Sequence, residues 1–255
     1  MAPRIALQLY TVRDKMQTAE EAIATIGRVA EIGYKNVEFA GYGLLGAQKA
    51  REVCDANGLS ICSTHAGFPT NDDEIKQLIE DHQIMGCTMP GIGGMPGEYR
   101  SSAEGFAKFA AMASEVGAKL AEAGMTFIYH NHSFELVRFG DKTGLDILVE
   151  NADKSVGFEL DLYWVQHGGG SPVAWINKLG SRAPVLHFKD MGITSDMQQY
   201  FAEVGEGNLD WPGILAAAEA SGAKYAIVEQ DICQRDSLEA VANSFRNMVA
   251  MGLPV

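Results

Sequence analysis

The feature that most constrains the fold is a strand-like run that recurs eight times along the chain. Each run is short and rich in Ile, Val, Leu and Phe, and a longer segment with Ala and Leu at helical spacing separates most of them. The predicted strands are Ile5–Leu9, Lys35–Phe39, Leu59–Thr64, Cys87–Pro90, Met125–His130, Val156–Asp161, Val185–Lys189 and Tyr225–Val228. Eight strand–helix units in 255 residues match the number and size of a (β/α)8 barrel. We therefore expect an α/β fold in which residues 1–255 form a single-domain (β/α)8 TIM barrel.

Residues that begin and end helices support this interpretation. Capping side chains are predicted at Thr18, Asn71, Ser101 and Ser237, and glycines that end helices at Gly33, Gly58, Gly86, Gly124 and Gly222. The alternative is a doubly wound sheet, which needs a Gly-rich phosphate loop after the first strand, and LYTVRD from Leu9 contains no glycine. The stretch Gly91–Gly97 lacks the Lys-Ser/Thr of such a loop, so we predict that it is a loop at the barrel mouth.

Composition excludes several classes of partner. Lys and Arg number 20 against 33 Asp and Glu, which gives a net charge of −13 without any basic cluster, so we expect no nucleic-acid partner. No apolar run approaches the roughly 20 residues that cross a bilayer, so we expect no membrane association. The four cysteines form no CxxC and are predicted to be free thiols of a cytoplasmic protein. The sequence neither predicts nor excludes a homo-oligomer.

Polar side chains concentrate at the carboxyl ends of the predicted strands, where a barrel carries its active site. The candidates in chain order are Gln8, Glu38, His65, His130, His132, Glu135, Glu159, Asp161, His187, Lys189 and Glu229. Taken singly, each has an ordinary structural explanation, such as a salt bridge for Lys189 or loop packing for Trp164. Taken together, acids from several strands would repel one another at one mouth unless a cation lay among them. Oxygen-rich ligands with an imidazole predict one divalent metal ion, Mn²⁺, Mg²⁺, Co²⁺ or Zn²⁺.

At these residues the sequence resembles the xylose isomerase-like barrel superfamily, also called the sugar phosphate isomerase/epimerase family. The stretches that carry the resemblance span nearly the whole chain: LQLYTVRD, YKNVEFAGY, STHAGF, YHNHSFEL, GFELDLYW, VLHFKD, EVGEGNLDW and YAIVEQD. The superfamily includes ketose 3-epimerases, hydroxypyruvate isomerase, inosose dehydratase, 3-dehydroshikimate dehydratase and, more distantly, endonuclease IV.

The resemblance implies a set of site residues. It assigns metal binding to Asp161, His187 and Glu229, with Glu135 as the first carboxylate and His132 or Tyr129 as the alternatives to it. In many members this carboxylate lies within the fifth strand, where this chain has Tyr129 or His130. The implied substrate-binding residues are Gln8, Glu38, His65, His132, Trp164 and Glu206, and the implied catalytic residues are Glu135, Glu229, Lys189 and His130.

The expected activity is that of a metal-dependent isomerase or epimerase acting on a keto- or aldo-sugar. Proton transfer would pass through a metal-stabilised enediolate, with Glu135 and Glu229 as the proton-transfer pair. The close alternative is a lyase of the same superfamily that expels a β-substituent from a 3-keto sugar or an inosose. Two remote alternatives are an endonuclease IV-like phosphodiesterase, which the charge and only six histidines oppose, and a sugar-binding barrel without catalysis.

Overall fold

The computed structural model describes all residues 1–255, and eight parallel strands close into a barrel at its centre. The barrel strands β1 to β8 are Arg4–Gln8, Asn36–Phe39, Ser60–His65, Pro90–Ile92, Phe127–His130, Val156–Asp161, Val185–Phe188 and Tyr225–Val228. They pair in chain order, and β8 closes on β1 with Ala226 opposite Ile5. The predicted (β/α)8 barrel is confirmed, and the doubly wound alternative is wrong because a closed sheet has no edge strands.

Nine α-helices surround the barrel. They are α1 to α9, at Ala19–Ile32, Gly46–Ala56, Asp72–Met85, Ala103–Glu122, Gly144–Asn151, Leu162–His167, Pro172–Leu179, Trp211–Ser221 and Ser237–Ala250. Two hairpins lie in the loops after β5 and β7, and the second pairs Asp190–Ile193 with Gln199–Ala202. None of the helices combines the length and the apolar character that crossing a membrane requires.

The helix caps agree with the sequence at some positions and differ by one residue at others. The predicted caps Thr18 and Asn71 are confirmed. Helix α4 begins after Ser102 and not Ser101, because the Ser102 hydroxyl accepts the backbone N–H of Gly105. Helix α9 is capped by Asp236 and not Ser237, since its carboxylate accepts two backbone N–H groups.

Strand β4 lies further along the chain than the sequence predicts. The predicted span ended at Pro90, whereas the observed strand begins there and continues to Ile92. Gly91 pairs with Ile128 of β5, and a Cβ on Gly91 would lie only 2.4 Å from the Ile128 Cγ1. Gly91 is therefore a strand residue at a point where β4 and β5 pack too closely for a side chain. The prediction that the loop begins at Gly91 is wrong by two residues.

The inside of the barrel is divided into an apolar floor and a polar top. The floor is a cluster of six buried side chains: Ala6, Cys62, Met89, Ile128, Val185 and Ile227. Side chains two positions apart share a face of a strand, so His130, His187 and Glu229 stand directly above Ile128, Val185 and Ile227. The floor thus positions a polar layer at the carboxyl ends of the strands.

Candidate active site

A small cavity opens at the carboxyl ends of the strands, directly over the polar layer. Its volume is about 340 Å³, and it is lined by Tyr10, Ala40, His65, Ala66, Gly93, His130, His132, Glu229 and Asp231. This size is at the lower end of the range of small-molecule sites. Its lining is polar, with three imidazoles and two carboxylates.

Four strands contribute side chains to one compact group at the cavity floor. His130, Asp161 and His187 come from β5, β6 and β7, and Glu229 directly follows β8. All four are buried, and their ligand atoms lie within 4.8 Å of one another. The His187 Nδ1 is 2.9 Å from the Glu229 Oε2, and the His130 Nε2 is 3.2 Å from the Asp161 Oδ2. Two imidazoles and two carboxylates are a donor set that suits a divalent cation.

A second group lies on the other side of the His187 ring. The His187 Nε2 is 2.8 Å from the Glu38 Oε1 and 3.2 Å from the Glu159 Oε1. Gln8 and Ser63 donate hydrogen bonds to Glu38, and His65 is hydrogen-bonded to Glu159. These contacts fix the ring plane of His187 and direct its Nδ1 toward Glu229.

Lys189 lies among three carboxylates. Its Nζ is 2.7 Å from the Glu229 Oε2, 3.0 Å from the Asp161 Oδ2 and 3.0 Å from the Asp231 Oδ2. The other oxygen of Asp161 accepts the backbone N–H of Trp164 at 2.8 Å, which caps α6 and holds the carboxylate in place. Burial lowers the pKa of Lys189, but the charges of Asp161 and Glu229 outweigh this effect and raise it, so Lys189 carries a proton.

The electrostatics of the site reflect an excess of buried acid. Four buried carboxylates, Glu38, Glu159, Asp161 and Glu229, accompany one buried ammonium. Burial and the charge of Glu159 raise the pKa of Glu38 to about 7. Burial lowers the pKa of His187, but the charges of Glu159 and Glu38 outweigh this effect and raise it well above its ordinary value. Protons compensate the excess of acid, and a divalent cation can take their place.

A buried polar atom without a hydrogen-bond partner also indicates whether the site could bind a cation. The Nδ1 of His130 is buried without a hydrogen-bond partner. Unsatisfied buried polar atoms are uncommon in folded proteins and are typical of sites that bind an ion, water or ligand. The donor set and this free imidazole nitrogen both fit a bound cation.

Glu135 does not lie with the other predicted metal ligands. Strand β5 ends at His130, and the following 3₁₀ turn directs Glu135 back against the strand. There its carboxylate accepts the Tyr129 hydroxyl at 2.6 Å and the His132 backbone N–H at 2.9 Å. Burial raises the pKa of Glu135 to about 8. The structure brings His130 to the group instead.

The predicted substrate-binding residues are distributed unevenly. His65 and His132 line the cavity, whereas Gln8 and Glu38 are buried and engage each other. Trp164 packs beside His132 with ring centroids 5.6 Å apart and is not among the lining residues. Glu206 lies on the loop after β7 and pairs with Arg235 at 3.3 Å, outside the cavity.

Two acids of the site were not among the residues assigned to metal binding, substrate binding or catalysis, although Glu159 was one of the strand-end candidates. Glu159 faces His187 from β6, and Asp231 lines the cavity after β8. Each is two residues from a predicted ligand, Asp161 or Glu229, and Glu159 shares its face of β6 with Asp161. That spacing was the available signal.

The structure is a closed parallel barrel, and a buried cluster of carboxylates and imidazoles lies at the carboxyl ends of its strands. These two features define an α/β-barrel protein whose polar cluster lies where this fold carries its active site. The sequence profile of the xylose isomerase-like TIM barrel family matches residues 26–248, and the chain belongs to that family. No curated protein sequence matches the chain.

Solved structures share the fold at low sequence identity. A sugar phosphate isomerase/epimerase from Parabacteroides distasonis is 22% identical with a TM-score of 0.78, over 99% of this chain and 95% of the other. A probable 3-DHS dehydratase from Bacillus anthracis is 14% identical with a TM-score of 0.74, over 96% and 98% of the two chains. An L-ribulose 3-epimerase is 15% identical with a TM-score of 0.72, over 98% and 94%. At these identities the similarity establishes the fold alone.

Proposed function

We propose that the chain is a divalent-metal-dependent sugar isomerase or epimerase that moves a proton at the carbon next to a carbonyl group. The observation that carries this proposal is the compact group of His130, Asp161, His187 and Glu229 at the floor of a small polar cavity. The names of two similar structures, a sugar phosphate isomerase/epimerase and an L-ribulose 3-epimerase, support the same class of reaction.

One divalent ion would be held by His130, Asp161, His187 and Glu229, with His130 in the position first assigned to Glu135. When bound, the ion would act as a Lewis acid on sugar oxygens and make the neighbouring C–H more acidic. Glu38 and Glu159 face the Nε2 of His187 at 2.8 and 3.2 Å, so its Nδ1 is the nitrogen left for coordination.

Proton transfer would use groups on different sides of the cavity. Glu229 lines the cavity from β8 and is the base that removes the proton from carbon. On the β5 side the groups that line the cavity are the imidazoles of His130 and His132, because Glu135 faces away. An epimerase would therefore return the proton to the opposite face of the carbon from the His132 ring, since His130 would be held by the ion. That ring would first have to take up a proton, although burial lowers its pKa to about 3.

A lyase is the second candidate, and one observation favours it. The β5 side contributes no carboxylate to the cavity, while the Lys189 ammonium lies 2.7 Å from Glu229. β-Elimination needs one base for the C–H and one acid for the leaving group, and Glu229 and Lys189 would supply them. The dehydratase named among the similar structures is consistent with this chemistry.

The test is elemental analysis of the purified protein followed by NMR of keto-sugars and 3-keto sugars in deuterated water. We expect one equivalent of divalent metal per chain and metal-dependent exchange of one carbon-bound proton. An epimeric product indicates the isomerase or epimerase, and an unsaturated product with loss of water indicates the lyase. Glu229→Gln should abolish exchange, whereas the exposed Glu31→Gln is the matched control and should retain it. A protein that holds no metal and exchanges no proton would be a barrel without this chemistry.

A further inference from the structure

Asp190 is a buried carboxylate outside the proposed catalytic group, and it has no cationic partner. It follows Lys189 at the end of β7, is fully buried, and makes no salt bridge. Its two oxygens accept five N–H groups: Met191 N at 2.8 Å, Gly205 N at 2.9 Å, Gly207 N at 3.0 Å, Leu209 N at 3.3 Å and Trp211 Nε1 at 2.7 Å. Converging backbone N–H groups of this kind form an anion-binding cradle.

The position of this cradle in the fold bears on the substrate. In (β/α)8 barrels the loops after the seventh and eighth strands commonly form the phosphate-binding site. Here the loop after β7 supplies the N–H donors, but the chain's own carboxylate fills them. A Cβ on Gly207 would lie 2.3 Å from the Asp190 Oδ1, so the loop is closed tightly around that carboxylate.

The neighbouring anion-binding groups are also satisfied internally. Asp210 caps α8 through the Gly213 N–H at 3.2 Å, and Asp236 caps α9. Two guanidinium groups lie beside these loops. Arg235 pairs with Glu203 at 2.8 Å and Glu206 at 3.3 Å, and Arg13 donates to the backbone carbonyls of Tyr10 and Asp231 at 2.8 and 2.7 Å. The two helix N-termini and Arg235 are therefore already paired with carboxylates, and the donors of Arg13 are engaged by backbone carbonyls.

The cavity itself opposes an anion. Its lining includes no Arg or Lys but does include Glu229 and Asp231. Lys189, the buried ammonium beneath it, is shared among three carboxylates. By contrast, the Nδ1 of His132 is buried without a partner in a residue that lines the cavity. A hydroxyl group, which both donates and accepts, suits such an atom.

We propose that the substrate is an uncharged sugar, a polyhydroxylated aldehyde, ketone or closely related derivative that carries neither a phosphate nor a carboxylate group. This inference rests on the proposed function and specifies its substrate class. It differs from the sugar phosphate after which the similar Parabacteroides distasonis protein is named. Asp190 acts as a positioning residue that holds the loop after β7 in the form that leaves no phosphate site.

The first test compares free keto-sugars with their phosphate monoesters, for example D-fructose with D-fructose 6-phosphate across a panel of hexoses and pentoses. Binding to the metal-loaded protein is measured by saturation-transfer NMR and turnover by deuterium exchange, with metal in excess of the ester. We expect kcat/KM for the esters to be at least 100-fold lower than for the best free sugar, and no competition by inorganic phosphate. Binding of an ester as tight as that of its free sugar, or binding of neither class, overturns the inference.

The binding measurement separates this inference from the proposed function. If free sugars bind and esters do not, but no proton exchanges, the proposed reaction fails while the substrate class stands. If an ester is bound and exchanged, the reaction stands and the substrate class fails.

The second test asks whether the cradle binds phosphate once the Asp190 carboxylate is removed. Asp190→Ser removes the carboxylate, and we expect inorganic phosphate to raise the melting temperature of this variant by about 3 °C or more relative to chloride at equal ionic strength. Asp210→Ser is the matched control, because it removes a carboxylate cap with a single backbone donor. It should respond to phosphate no more than the wild type does. An equal response of all three proteins overturns the interpretation of the loop as a filled phosphate cradle. If Asp190→Ser folds only when phosphate is present, as followed by circular dichroism, that requirement is the expected response. If it folds in neither salt, the interpretation of the loop as a cradle that phosphate can fill is overturned.

Discussion

His130 is the residue that β5 contributes to the proposed metal site, and its role as a ligand can be tested by mutation. His130 lies 3.2 Å from Asp161 within the compact group, while Glu135 is engaged by Tyr129 and the His132 backbone. We expect His130→Ala and Asp161→Ala to lose at least about 100-fold in metal affinity, because each removes a direct ligand. Glu135→Gln should retain a full equivalent of metal by mass spectrometry of dialysed protein. Loss of metal from Glu135→Gln but not from His130→Ala would restore Glu135 as the ligand.

The same residues mark how far the sequence could locate the site. The ends of the strands gave eleven polar candidates, and the family resemblance selected Asp161, His187 and Glu229 from them as metal ligands. The structure places ligand atoms of these three residues within 4.8 Å of one another. The direction of Glu135 could not be inferred, because it follows the strand in a 3₁₀ turn whose side chains obey no strand alternation. The role of Asp190 was equally hidden, since four of its five donors come from residues 15 to 21 positions further along the chain.

At the scale of elements, the contact between α3 and β3 predicts a measurable dependence of stability on pH. His82 of α3 is fully buried, with its Nε2 2.7 Å from the Thr64 hydroxyl of β3 and its Nδ1 2.7 Å from the Leu78 carbonyl. A neutral imidazole satisfies both contacts, with Nδ1 donating and Nε2 accepting. Burial lowers the pKa of His82 below its ordinary value of about 6.5.

The sign of the effect follows from where the proton binds. Below about pH 6.5 the unfolded chain protonates His82 while the folded chain does not, so the stability that the neutral ring contributes is lost as the pH falls toward the folded pKa. His82→Gln lacks this titration. We expect the difference in unfolding free energy between the wild type and this variant to shrink by up to about 1.4 kcal/mol from pH 7.5 to 5.5, measured by urea denaturation. A difference that stays constant across this range would show that His82 is protonated equally in both states.

Elements were predictable where periodicity was strong and less so where a contact decided the boundary. Seven of the eight predicted strands overlap the observed ones along most of their observed length, since runs of Ile, Val, Leu and Phe alternate with helical segments. Strand β4 was displaced because Gly91 belongs to it, and only the approach of Ile128 makes a glycine necessary there. Caps shifted by one residue at Ser102 and Asp236, where two adjacent residues could each have served.

At the scale of the whole molecule, charge and fold act together on the choice of ligand. The chain carries −13 at pH 7, which attracts a divalent cation toward the mouth and disfavours anions there. The acids of the site lie at the carboxyl ends of the strands, above an apolar floor that keeps them out of bulk water. A cation is thus favoured by the field of the molecule and by the donor set, whereas a phosphate is opposed by both.

The same balance predicts that the chain does not bind DNA, although the remote phosphodiesterase alternative would require it. Binding a duplex needs several Lys or Arg contacts to phosphates, and each such contact releases counterions and weakens binding as salt rises. The cavity lining contains no Lys or Arg. Arg235 and Lys15 are paired with carboxylates, and Arg13 donates to the backbone carbonyls of Tyr10 and Asp231 and packs on the Tyr10 ring. We expect no change in fluorescence anisotropy of a labelled abasic duplex at micromolar protein, even in 50 mM salt and with metal present. The informative control is a Glu203→Gln, Glu206→Gln double variant, which frees Arg235 and should raise any residual salt-dependent binding. Saturable binding by the wild type that weakens steeply with salt would contradict the uncharged-substrate proposal and favour a phosphodiester ligand.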